Sequence, residues 1–129
     1  LVLSTLHTSD CQSTLFRLQG FQLDPFLVAQ TLRGIISQKL VLKLCSYCSI
    51  EEKESVYLPN GCEKCFYTGY DGRMVLSEVM ELRRTSLKEN ENIDYLMKNS
   101  NHYSFEKDLE NKMSTGLVAY RDVIKENVF

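Results

Sequence analysis

The chain has 129 residues, 43% of them hydrophobic and 25% charged, enough to bury a core in one domain or two small lobes. With 15 basic and 17 acidic residues the formal net charge is −2, so composition gives no global pull toward nucleic acid or anionic lipid. No apolar run approaches the roughly 20 residues that span a bilayer, and no secretory signal opens the sequence.

In chain order, residues 1–6 (LVLSTL) read as a short buried strand. The chain starts inside this apolar run at Leu1, not Met, and so reads as a piece of a longer protein. His7-Thr8-Ser9-Asp10 follow as helix-opening residues, any of the last three able to accept from a free backbone N–H as N-cap. Leu15 and Leu18 lie on the helix and Gly20 ends it. Asp24-Pro25 starts a second helix, with proline where its missing N–H costs nothing. Val28, Leu32, Ile35 and Ile36, at i, i+4, i+7 and i+8, extend its apolar face to about Leu40.

Residues 41–82 change character. They hold four paired cysteines, Gly61, Gly69 and Gly72, and β-leaning stretches at Val56-Tyr57-Leu58 and Met74-Val75-Leu76. Helical patterning then returns, with Ile93, Leu96 and Met97 on one face. Phe105, Leu109 and Met113 mark a helix opened by Ser104 and ended at Gly116, and Leu117, Tyr120, Val123 and Ile124 mark a last one. Asn90 to Asn92 and Asn99 to Asn101 read as loops.

The strongest chemical signal is Cys45-Ser-Tyr-Cys48, thirteen intervening residues, then Cys62-Glu-Lys-Cys65. Two CxxC turns supply the four soft ligands of tetrahedral zinc. Two disulfides or four free thiols are the competing reading, and a chain without a secretory signal favours metal. A four-thiolate site has no open position for water, so this zinc holds structure rather than doing chemistry. Lys43 and Lys64 are placed to offset part of its negative charge. Cys11 has no CxxC partner and reads as a buried thiol.

His7 sits where the apparent strand meets a helix start. Ligands in open α/β sheets bind at such strand ends, and free N–H groups of a helix N-terminus suit a phosphate. A capping or core histidine is the plainer alternative. His102 reads as an exposed loop side chain. Arg83 and Arg84 read as a solvated face or a subunit contact.

Residues 3–10 (Leu-Ser-Thr-Leu-His-Thr-Ser-Asp) resemble the histidine box of the secretion ATPases that drive type II secretion, type IV pilus assembly and competence DNA uptake. Further resemblances follow in order. They are residues 24–29 (Asp-Pro-Phe-Leu-Val-Ala), 38–40 with Leu44-Cys45, 61–65, 68–73 ending in Glu78, 104–109, and Gly116 with 120–124. The resemblance implies an α/β fold, mostly α in this stretch. It would be the C-terminal end of a RecA-like P-loop ATPase domain with an inserted four-cysteine zinc lobe and a C-terminal helical bundle. Its implied divisions are the end of the ATPase core at 1–40, the zinc lobe at 41–82 and the helical subdomain at 83–129. It implies a homohexamer on the cytoplasmic face of the membrane, acting through a membrane platform protein, with no direct nucleic-acid contact. His7 would then be catalytic, and His7 and Thr8 would meet the nucleotide near its γ-phosphate. ATP and Mg2+ belong to the full-length protein, because no glycine-rich Lys-Ser/Thr phosphate loop occurs in these 129 residues. A free-standing zinc ribbon that binds nucleic acid or a protein, with Lys39, Lys43, Lys64, Tyr67, Tyr70 and Arg73 as its face, is the alternative.

Overall fold

The computed structural model describes residues 1–82, 93–120 and 122. The chain forms two compact units, Leu1–Ser37 with Glu78–Ser104, and Gln38–Ser77 with Phe105–Phe129.

In the first unit, residues 1–8 form no regular element. Helix α1 runs Cys11–Gly20, with Asp10 as N-cap accepting from the Ser13 N–H at 2.6 Å. Helix α2 runs Pro25–Thr31, with Asp24 as N-cap and proline in the first turn. Both starts fall where the capping residues predict. Strand β1 spans Gly34–Leu44. Strand β4, reached after the short strands of the second unit, spans Tyr70–Glu81. Helix α3 is Ile93–Lys98 and strand β5 is Asn101–Tyr103. The sheet order is β1-β4-β5, with Val79 opposite Tyr103 and Met80 opposite His102 in the antiparallel β4–β5 pair. Cys11, Leu15, Ala29, Ile35, Met80, Leu82 and Leu96 form this unit's core, with Leu32 and Met97 against it.

The second unit takes the rest of β1 and β4. It adds the antiparallel hairpin of β2, Ile50–Lys53, and β3, Val56–Leu58, and helix α4, Phe105–Ser114. Val41, Leu76, Phe105, Leu109 and Val118 make a separate core. The predicted Phe105, Leu109, Met113 face of α4 is the one that packs. Gly116 follows at φ +69°, and a Cβ there would lie 3.1 Å from the Tyr57 ring.

Three expectations are corrected. Residues 34–44 are strand, not the continuation of α2 to Leu40. Leu32 already has extended backbone, with ψ 127°. Gly34 then approaches β4 so closely that a Cβ would sit 3.1 Å from the Met80 carbonyl oxygen. From there Ile35, Ser37 and Val41 alternate inward while Ile36 and Leu40 are 67% and 58% exposed. Residues 1–6 are not a buried strand: Leu1 and Val2 are fully or almost fully exposed. A strand exists through its ladder, and among the described residues none pairs with this segment. The covered part is also not mostly α, since strands claim as much of it as helices do. Arg83, Arg84, the loop at 90–92, Val123 and Ile124 lie outside the described residues.

Candidate functional site

β1 delivers Cys45 at its exit, and a tight turn closed by the Ser49 N–H on the Cys45 carbonyl (3.0 Å) brings Cys48 round. The β2–β3 hairpin returns the chain to Cys62, and a single 3₁₀ turn, Glu63–Cys65, presents the second pair. The four sulfurs lie within 4.8 Å of one another. Cys48 and Cys65 are 3.7 Å apart, Cys62 and Cys65 3.8 Å, and Cys45 and Cys62 4.0 Å. A sulfur tetrahedron around zinc, with Zn–S near 2.3 Å, has edges of about 3.8 Å. A disulfide needs sulfurs at about 2.05 Å. All five cysteines are free thiols. The donor set and its spacing fit a four-thiolate metal centre formed by Cys45, Cys48, Cys62 and Cys65.

The surrounding backbone is built for thiolate. The Gly61 N–H donates to Cys48 Sγ at 3.3 Å, and the N–H groups of Cys62 and Gly69 donate to Cys65 Sγ at 3.2 and 3.3 Å. Burial opposes ionisation at Cys65, but those two amides and the neighbouring thiols of Cys48 and Cys62 outweigh it and bring its pKa down to about 6. Cys48 goes the other way, to about 12, through burial first and through thiol contacts that the Gly61 amide offsets only in part. A metal ion that binds all four must displace their protons, and Cys65 gives up its own more readily than Cys48.

The amide donors require glycine in places. Gly69 has φ +82°, and a Cβ there would fall 2.4 Å from Pro59 Cβ. Phe66 and Tyr67 follow the last cysteine at φ 51° and 60°, left-handed values unusual for bulky residues, and are 87% and 72% exposed. The lysines expected to offset the thiolate charge have other partners: Lys43 Nζ lies 3.9 Å from Asp71 Oδ2, and Lys64 Nζ stands 3.7 Å over the Tyr47 ring. Lys39 stands over the Phe105 ring at 4.4 Å, and the Tyr70 hydroxyl donates to Asp122 at 2.7 Å.

The histidine segment belongs to the first unit. His7 is exposed and Thr8 half-buried, with the Thr8 hydroxyl 2.7 Å from that of Thr14 on α1. The free helix N–H groups that the sequence suggested for a phosphate are largely taken. Asp10 holds the Ser13 N–H, and the Cys11 N–H donates to Glu78 Oε2 at 2.7 Å. Glu78 Oε1 lies 2.7 Å from His102 Nε2. His102 is exposed, as expected, but it lies on strand β5 and not in a loop, and it has a carboxylate partner. Cys11 is a fully buried thiol, as expected, and burial, aided by Glu78 and only partly offset by Ser37, pushes its pKa up to about 11.

Sequence reasoning missed the part played by Glu78. The signal was present: strand alternation puts Leu76, Glu78 and Met80 on one face, and all three are buried. A carboxylate on a buried face needs partners.

A family model described as type II/IV secretion system protein matches residues 1–125. The type IV pilus assembly ATPase TfpB of Acinetobacter baylyi is 41% identical over 100 residues, covering 64% of this chain and 17% of that protein. The type II secretion system protein HxcR of Pseudomonas aeruginosa is 41% identical over 88 residues, 65% of this chain and 19% of that protein. The type IV pilus assembly ATPase PilB of Thermus thermophilus is 33% identical over 98 residues, 62% of this chain and 11% of that protein. The matched part of this chain thus spans less than a fifth of each of these curated relatives.

Proposed function

The chain belongs to the type II/IV secretion system protein family, and from that membership we propose that it is the C-terminal part of a hexameric ATPase that powers assembly of pilus-like fibres for protein secretion or DNA uptake. The observation that carries this is the extent of the match: residues 1–125 hold the His7-Thr8 segment and all four clustered cysteines in one stretch. Relatives that match 62–65% of this chain are named as pilus assembly ATPases and a type II secretion system protein.

In this reading the nucleotide's phosphates and Mg2+ are held mainly by an upstream half with a glycine-rich loop, a motif these 129 residues do not contain. His7 contributes a polar group near the γ-phosphate, and Thr8 positions the segment. Zinc on the four cysteines fixes the local backbone and takes no part in turnover. The ring is a homohexamer on the cytoplasmic face of the membrane and pushes on a membrane platform protein. Among the described residues no helix is long and apolar enough to cross a bilayer, which suits a peripheral role.

The test has two arms. The 129-residue chain alone is expected to bind one zinc and to turn over no ATP; turnover by the pure chain sinks the reading. The full protein is expected to hydrolyse ATP and to lose that activity on His7→Ala while retaining its zinc.

A further inference from the structure

We propose that Glu78 is a positioning residue for the histidine segment: its buried carboxylate fixes the start of α1 and so holds Thr8 and His7 in register. The proposal rests on the reading of that segment as part of an ATP site.

Glu78 is 7% exposed, between Leu76 and Met80 on the inward face of β4. A buried carboxylate is a poor device for stability alone, because its desolvation cancels much of what its contacts return. It is a good device for orientation, because its hydrogen bonds are short, charge-assisted and directional. Both oxygens are committed. Oε2 accepts from the Cys11 N–H at 2.7 Å, in the first turn of α1, where the helix dipole favours a negative charge. Oε1 meets His102 Nε2 at 2.7 Å, which fixes the carboxylate's direction from β5.

The hold passes from α1 to the segment before it. The Thr14 N–H and hydroxyl both donate to the Asp10 carbonyl, at 3.2 and 3.0 Å, and the Asp10 side chain takes the Ser13 N–H. The Thr14 hydroxyl also lies 2.7 Å from that of Thr8. Thr8 is thereby tied to the first turn that Glu78 anchors, and His7 is its neighbour in the chain. His7 itself is exposed, so its placement depends on what holds Thr8. Misplacing a catalytic group by about 1 Å costs on the order of a hundredfold in rate.

The experiment measures ATP hydrolysis by the full ring-forming protein, with zinc content, ring size and thermal midpoint recorded beside it. Glu78→Ala is expected to lower kcat about tenfold or more while KM for ATP moves less than about twofold, with zinc and ring intact. Glu78→Gln keeps an acceptor for the Cys11 N–H and is expected to restore most of the lost rate. If the alanine variant does not assemble, Glu78→Asp carries the same test, since it retains the charge but withdraws it by one methylene. Asp108→Ala is the comparison for a purely structural carboxylate, because Asp108 accepts from the Ser77 N–H and from Lys112 in the second unit. It is expected to lower the thermal midpoint without changing kcat per folded protein. Wild-type kcat in Glu78→Ala and Glu78→Asp, beside an inactive His7→Ala, overturns the positioning role and leaves the ATP-site reading standing. A Glu78→Ala loss that only tracks the folded fraction also overturns it. An active His7→Ala removes the ATP-site reading and this proposal together.

Discussion

At the scale of single residues, Cys11 and Cys65 have the same thiol in opposite settings. Cys65 receives two backbone N–H groups and its pKa falls to about 6. Cys11 has a distant donor in the Ser37 hydroxyl, at 3.5 Å, and a carboxylate nearby, and burial pushes it to about 11 against an ordinary 9.0. The consequence for stability follows from proton counting. Between pH 9 and about 11 the unfolded chain has released the Cys11 proton and the folded chain has not. Stability from this group is therefore complete below pH 9 and is lost as pH rises to about 11, by roughly 3 kcal/mol at most. Denaturant titrations across that range should give a steeper alkaline decline for wild type than for Cys11→Ala. Equal slopes would mean that the thiol is less shielded than its full burial indicates.

At the scale of elements, what was legible in the sequence was whatever is fixed by a few adjacent residues. The cap Asp24, the proline start of α2 and the four-cysteine spacing came out in place, and of the three candidates Thr8, Ser9 and Asp10 it is Asp10 that caps α1. What was not legible depended on distant neighbours. Ile35 and Ile36 fit the apolar face of a helix at i+7 and i+8 from Val28, yet they also fit a strand, and β4 decides between the two. The two isoleucines give a sharp test, since a helix would bury both and the strand buries only one. Ile35 is 8% exposed in the first core, and Ile35→Ala should cost about 2–4 kcal/mol. Ile36 is 67% exposed, and Ile36→Ala should stay within about 0.5 kcal/mol. Comparable losses at both positions would contradict the strand.

At the scale of the whole molecule, two cores and a four-cysteine cluster among the described residues divide the work. An α/β class was readable from the order of motifs, but the amount of strand was not, because the paired strands β1 and β4 are separated in sequence by the cysteine segment. The Glu78 contacts were hidden for a related reason: they join residues 67 and 24 positions apart. The division also bears on what metal removal does. Gly61, Cys62 and Gly69 direct their N–H groups at cysteine sulfurs, and the hairpin between the pairs buries little, with β2 exposed along its length. Without an ion, the four thiols must share few donors and the lobe loses its main cross-link. The first unit has its own apolar core, and its Cys11 amide is held by Glu78, not by the cysteine cluster. A strong chelator should therefore raise the hydrogen-exchange rates of the Gly61, Cys62 and Gly69 amides by orders of magnitude. The Cys11 amide should keep most of its protection. Readdition of one zinc per chain should restore the first three. Simultaneous loss at Cys11 would mean that the two cores melt as one cooperative body.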